Sequence, residues 1–164
     1  MEVATALMEA VYRPSFEDAV AEHYPGLVRR LTVVLGDGEA ARDIAQETYL
    51  RAYRAWDRFD GTDSRGWLYT IGLRLAFNER DRRRRWRLLF GQATPAPTAF
   101  HPADPGVHEA LAGLRREHRA ALLLNVLDGY TQAEVAAILD VSPGTVASWL
   151  SRAKAHMRKM LRDE

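Results

Sequence analysis

Residues 129–161, GYTQAEVAAILDVSPGTVASWLSRAKAHMRKML, leave little freedom of local fold. Thr131 with Glu134 three residues later is a capping-box pattern, and Ser142 before Pro143 places an N-cap ahead of a proline at the first helical position. Only Asp140 and Val141 remain between the first helix and the second start, so the pattern predicts helices over 131–139 and 143–161 joined by a tight turn. Val135, Ile138, Leu139, Val141, Val146, Leu150, Ala153 and Met157 then form one apolar seam that locks the pair at a fixed angle. Thr145, Ala147, Ser148, Ser151 and Arg152 fall on the outer face, followed by Lys154, Arg158 and Lys159. In a helix-turn-helix that face offers its first turns to base edges and its basic end to phosphates. An ordinary helical hairpin with a solvated basic face is the competing reading; seam, caps and one-sided charge together disfavour it.

Upstream, helical periodicity predicts helices at about 16–35, interrupted at Pro25-Gly26, then 39–57 and 64–87. Ala41, Ile44, Ala45, Thr48, Ala52, Tyr53 and Trp56 are expected on the buried face of the second, and Trp67, Leu68, Ile71 and Leu75 on that of the third. Two further helices are expected at about 107–116 and 118–128. No stretch alternates β-branched residues, so the fold class is all-α. Pro95, Pro97, Pro102 and Pro105 mark a linker without periodicity. The expected division is an extension at 1–14, a helical domain at 15–87, the linker at 88–106 and a helix-turn-helix domain at 107–164. Taken as Leu88 to Pro105, the linker could hold its flanking modules up to ~60 Å apart.

Charge sharpens the picture. The net charge is only +1, yet residues 1–65 hold 8 Arg against 12 carboxylates, while 66–90 hold 7 Arg against Glu79 and Asp81. Residues 143–162 carry five basic side chains and no carboxylate. Arg supplies 21 of the 23 basic residues, and its planar fork suits phosphate. The absence of cysteine excludes disulfides, thiolate metal clusters and a cysteine nucleophile. The start MEVATALMEAVYR has neither the basic region nor the apolar run of a signal peptide, and no stretch approaches the ~18 apolar residues of a membrane span. A cytoplasmic protein without membrane insertion is expected.

Three segments carry candidate chemistry. Trp56, Phe59, Trp67, Tyr69, Phe77 and Trp86 interleave with Arg65, Arg74, Arg80 and Arg82 to Arg87, the combination that holds single-stranded DNA by base stacking beside backbone-following cations. Phe59, in a loop, is the best stacking candidate, whereas Trp56 and Trp67 are expected in the core. Asp43, Gln46, Glu47 and Leu50 share a helix face turned away from the buried one; a solvated face and a protein-docking surface both explain it. Catalytic sets are missing: His23, His101, His108, His118 and His156 lack neighbours at metal-ligand spacing, and neither a P-loop nor a nucleophile elbow occurs. No enzyme activity, metal or cofactor is expected.

In this order the parts resemble the bacterial RNA polymerase sigma factors, specifically the small extracytoplasmic-function (ECF) group of the sigma-70 family, over about residues 15–87 and 107–161. DIAQETYLRAYRAWDRF looks like the segment that docks on the β′ clamp helices of core polymerase, and SRGWLYTIGLRLAFNERDRRRR like the helix that melts and reads the minus-10 element. The C-terminal helix-turn-helix looks like the domain that reads the minus-35 element and meets the β flap. The resemblance implies core-polymerase contact by Asp43, Gln46, Glu47 and Leu50. It assigns minus-10 DNA to Phe59, Asp60, Asp63, Arg65, Trp67, Arg74 and Asn78, with Arg80, Arg82, Arg83, Arg84 and Arg85 on phosphates. It assigns minus-35 DNA to Thr145, Ser148, Ser151, Arg152, Lys154 and Arg158. It also implies a dedicated anti-sigma partner.

This chain departs from the family's pattern in places. Arg74 stands where Asn is usual, Asp140 where the turn usually has Gly, and Ala147 and Trp149 where Lys and Arg are common. A stand-alone helix-turn-helix regulator is the alternative reading, but it leaves the pattern over 43–87 unexplained.

Overall fold

The computed structural model describes residues 14–90 and 104–162, with side chains up to Asn78 in the first stretch. Helix α1 (Phe16–Leu35) starts at Ser15, whose hydroxyl accepts from the Asp18 amide at 3.0 Å, and ends at Gly36 with φ 69°. Asp37 opens α2 (Gly38–Ala55) by accepting from the amides of Glu39 and Ala40. A single 3-10 turn, Trp56–Arg58, leads through the 59–63 loop to α3 (Ser64–Phe90). The C-terminal half contains α4 (Pro105–Ala112), α5 (Arg116–Val126), α6 (Gln132–Leu139) and α7 (Pro143–Met160). No strand occurs among the described residues, as the lack of alternation predicts.

Pro25 does not interrupt α1. Proline removes the bond to the carbonyl four residues back; that residue, Ala21, is exposed, so water can take the freed oxygen and the helix runs on. The linker is shorter than expected at both ends, because α3 continues to Phe90 and α4 begins at Pro105, capped by Asp104. Its central residues, 91–103, lie outside the described part.

The larger difference concerns the relation of the two halves. An extended linker would allow separated modules; the described residues instead form one continuous apolar core, from Leu27, Leu31 and Val34 of α1 through Leu68 and Leu73 of α3 to Leu123, Val135, Val146 and Leu150. The cause lies in α5. Residues 118–124 are buried without a break, so this helix needs cover on more than one side. Helix α7 covers one flank and α1 another, while α6 packs on α3. Gly72 serves the packing of the N-terminal half: a Cβ there would sit 3.0 Å from Leu27 Cδ1 and 3.1 Å from Thr48 Oγ1, so any larger residue would push on the side chains where α1, α2 and α3 approach.

Candidate nucleic-acid interface

The helix-turn-helix forms as its caps dictate. Thr131 and Glu134 complete the capping box, and Ser142 accepts from the Thr145 amide at 3.1 Å. Val135, Ile138, Leu139, Val146, Leu150 and Ala153 are buried, with Val141 and Met157 packed against them. Ser148, Ser151, Arg152, Lys154 and Arg158 are exposed on α7, with Thr145 half-buried at its start. Trp149 is half-buried, its ring 6.0 Å from that of His118, so it packs inward.

On α2, Asp43, Gln46 and Leu50 are exposed and Glu47 is half-buried, its carboxylate paired with Arg51 Nε at 2.6 Å. Leu50 is 45% exposed, and Tyr53, expected in the core, is 64% exposed on the same face. The helical register explains the difference: Tyr49, one turn back, takes the buried place and stacks near Tyr24 and Phe16. Its phenol is pushed far up by burial. Gln46, Leu50 and Tyr53 thus make an uncovered strip beside Asp43, an acidic and apolar surface of the kind that docks protein.

The 59–65 loop and the start of α3 are also well ordered by local bonds. Asp60 accepts from the Thr62 amide and hydroxyl, which hold its carboxyl below the usual range. Asp63 caps α3 through the Gly66 amide at 2.8 Å, and a Cβ on Gly66 would collide with that carboxylate. Phe59 is not an open stacking platform in this structure: it is only 5% exposed, with the rings of Trp56 and Trp67 at 4.9 and 5.2 Å. Trp56 and Trp67 are themselves half-buried. Asp60, Asp63, Arg74 and Asn78 are exposed. Arg80, Arg82, Arg83, Arg84 and Arg85 lie on α3 outside the residues whose side chains are described.

Comparison with known proteins decides the family. Residues 19–87 match sigma-70 region 2, and residues 106–157 match sigma-70, region 4. The chain is 31% identical to the RNA polymerase sigma factor CarQ of Myxococcus xanthus, over 90% of this chain and 89% of that one. The chain belongs to the ECF sigma factors of the sigma-70 family. It is also 31% identical to the ECF RNA polymerase sigma factor SigL of Mycobacterium tuberculosis, covering 96% of this chain and 90% of the relative. Among solved structures, the sigma factor RpoE in complex with the anti-sigma factor NepR from Bartonella quintana aligns with a TM-score of 0.80 at 25% identity, over 90% of this chain and 96% of that one. CnrH in complex with the cytosolic domain of CnrY aligns at 0.67 and 25% identity, over 99% and 97%.

This sigma factor also has functional geometry that local sequence patterns do not reveal. Arg30 of α1 grips Asp128, just after α5, with Nε and Nη2 at 2.8 and 2.9 Å. Arg65 donates through Nε to the Tyr130 hydroxyl at 2.9 Å and through Nη2 to the Asp128 carbonyl at 3.0 Å, and its guanidinium lies 4.7 Å from the Tyr130 ring centre. Burial pushes the Tyr130 phenol up to about 12, which keeps it protonated. Arg119, buried, donates to the carbonyls of Val33, Val34, Ala112 and Leu114. Arg116 donates to the Phe77 carbonyl at 3.2 Å. Arg74 and Asp140, the two departures flanking this junction, approach to 3.7 Å. Apart from the Arg119 bonds to Ala112 and Leu114, these contacts join residues far apart in sequence, so nothing short of the tertiary fold signals them. No His, Asp or Glu cluster able to hold a metal occurs among the described residues, and no described helix is long and apolar enough to cross a membrane.

Proposed function

We propose that the chain is a promoter-recognition subunit without catalysis of its own, which binds core RNA polymerase in the cytoplasm and directs it to a defined set of promoters. The observation that carries this reading is the presence, on one chain, of two uncovered faces of different chemistry. One is the strip of Asp43, Gln46, Leu50 and Tyr53 on α2; the other is the polar face of α7 with Arg152, Lys154 and Arg158 at its basic end.

The first face would dock on the β′ clamp helices, with Glu47 at its edge. The second would lie in the minus-35 major groove, Thr145, Ser148, Ser151 and Arg152 against base edges and the later cations against phosphates. Phe59, Asp60, Asp63, Arg65, Trp67, Arg74 and Asn78 would form the minus-10 site. Extruding a base costs a few kcal/mol, so an enclosed aromatic pocket is needed, and Arg80 with Arg82 to Arg85 would follow the backbone of the opened strand. Two weak DNA modules on one chain gain affinity when a common scaffold fixes their spacing; core polymerase, through β′ and the β flap, would be that scaffold. The relatives solved with NepR and CnrY support control of this chain by an anti-sigma protein as well.

Run-off transcription with purified bacterial core polymerase, on fragments including the region upstream of the gene, tests the reading. Specific transcripts appearing only when the protein is added are the expected result. A footprint by the protein alone, without transcripts, would overturn it in favour of a stand-alone regulator. Arg82→Ala combined with Arg84→Ala should reduce open-complex formation more than core binding; equal loss of both would count against the minus-10 assignment.

A further inference from the structure

A cavity of about 450 Å³ carries three arginines on its wall, Arg29 and Arg30 of α1 and Arg65 of α3, together with the Tyr69 phenol. These groups differ in how far they are already engaged. Arg30 is held by Asp128, and Arg65 by Tyr130 and the Asp128 carbonyl. Arg29 is exposed and forms no ion pair among the described residues. Tyr69 is only 3% exposed, yet its hydroxyl makes no hydrogen bond among the described residues. That hydroxyl is not sealed in the core as the Tyr49 hydroxyl is, so what it meets is the cavity. Burial pushes the Tyr69 phenol up, which keeps its proton in place for donation.

The two uncommitted donors converge on Gly26. A Cβ there would sit 3.4 Å from the Tyr69 hydroxyl and 3.9 Å from Arg29 Nη2, so the missing side chain leaves open the space between a phenol and a guanidinium. An anionic oxygen in that space can accept from both. Three carboxylates on the wall, Glu22, Asp63 and Asp128, stand against the three guanidiniums, a balance that suits one phosphoryl group and disfavours a polyphosphate. The remaining groups suit hydroxyls: His23 and Ser64, 2.9 Å apart, can each donate or accept, and Glu22 accepts. No aliphatic side chain lines the cavity, so it offers nothing to an apolar ligand, and an inorganic phosphate ion would leave most of it unfilled.

The geometry points to a binding site for a small phosphomonoester of a sugar or polyol, its phosphoryl group between Tyr69 and Arg29 and its hydroxyls toward His23, Ser64 and Glu22. Neither Arg29 nor Tyr69 takes part in the polymerase or promoter contacts proposed above, so the site goes beyond that function and does not depend on it. A ligand that binds only the folded chain also stabilises it by mass action, which gives the site a readout separate from transcription.

The test titrates ribose 5-phosphate and glucose 6-phosphate into the full chain by calorimetry, with glucose and inorganic phosphate as controls. At least one sugar phosphate should bind with a Kd on the order of 0.1 mM, and at about 100 times that concentration should raise Tm by roughly 5 °C or more. Tyr69→Phe removes only the unpartnered hydroxyl, so it should leave the Tm of the ligand-free chain unchanged while weakening binding about tenfold; Arg29→Ala, at an exposed position, should do the same. No binding of either sugar phosphate would overturn the site, as would binding that neither variant weakens. Inorganic phosphate binding as tightly as the sugar phosphates would overturn it in favour of an adventitious ion only. A short single-stranded DNA that binds through Arg29 and Tyr69 where neither sugar phosphate does would give the cavity to the nucleic-acid backbone instead.

Discussion

Arg30 and Asp128, 98 residues apart, form a two-bond fork at 2.8 and 2.9 Å that joins α1 to the end of α5. The hydrogen bonds it donates to Asp128 hold the Arg30 guanidinium above its ordinary value. The two partners are not equally sheltered: the Arg30 side chain is 21% exposed and that of Asp128 5%. Removing one member of a buried pair strands the other's charge, and the more sheltered charge is the worse one to strand. Arg30→Ala should therefore destabilise the chain by about 3 kcal/mol and Asp128→Ala by about 2 kcal/mol. Urea unfolding of the two variants checks the order; equal losses would mean that water reaches Asp128 freely.

Arg119 makes a different tie. Its guanidinium donates to Val33 and Val34 at the end of α1, and to Ala112 at the end of α4 and Leu114 just beyond it, at 2.8 to 3.2 Å. A cation at a helix C-terminus meets the carbonyls that have no partner within the helix. Arg119→Leu should cost about 3 kcal/mol because those oxygens lose charged donors. Arg119→Lys should recover little, since an ammonium cannot span four acceptors spread in a plane. Thermal unfolding of both variants measures this, and full rescue by lysine would show that charge alone matters.

What could be read in the sequence was local. The seam from Val135 to Met157 and the caps at Thr131 and Ser142 depend on neighbours within a turn or two, and the structure reproduces them. Arg74 and Asp140 were visible singly as unusual residues, but their pairing needs α3 and α6 brought together. Phe59 shows the same limit: a loop position suggested a free ring, yet Trp56 and Trp67 close on it from either side. Tyr53 and Tyr49 exchanged places because tyrosine suits both a core and a surface, so periodicity alone could not choose. The burial of 118–124 without a break is what makes the halves share a core, since a single neighbouring helix cannot cover every side of α5, and it became visible only in the structure.

His118 gives the junction a pH response of calculable sign. Burial, followed by the nearby Arg115 and Arg152, lowers its value below the ordinary 6.5, with Glu117 opposing. In the unfolded chain the imidazole takes up its proton more readily, so stability is full above pH 6.5 and is lost as pH falls toward the lowered folded value. The urea midpoint should drop between pH 7 and pH 5, and drop less in His118→Gln. An equal drop in both proteins would assign the response to other groups.

The uncovered strip on α2 yields the sharpest separation of function from stability. Leu50 and Tyr53 are the large apolar side chains that α2 leaves exposed; Leu50 lies outside the buried core, so its replacement should leave unfolding unchanged within about 0.5 kcal/mol, whereas Tyr53 also meets the Phe16 ring edge-on at 5.3 Å and its loss should cost some stability. At a protein interface, however, a desolvated leucine or tyrosine commonly accounts for 1 kcal/mol or more, roughly tenfold or greater in affinity. Leu50→Asp should thus weaken core polymerase association by at least about tenfold, with Tyr53→Ala next and Glu47→Lys acting through charge and the loss of its pair with Arg51. Competition for core polymerase against the unmodified chain measures all three. Undiminished competition by Leu50→Asp would remove α2 as the docking surface, whatever the result at the DNA-reading faces.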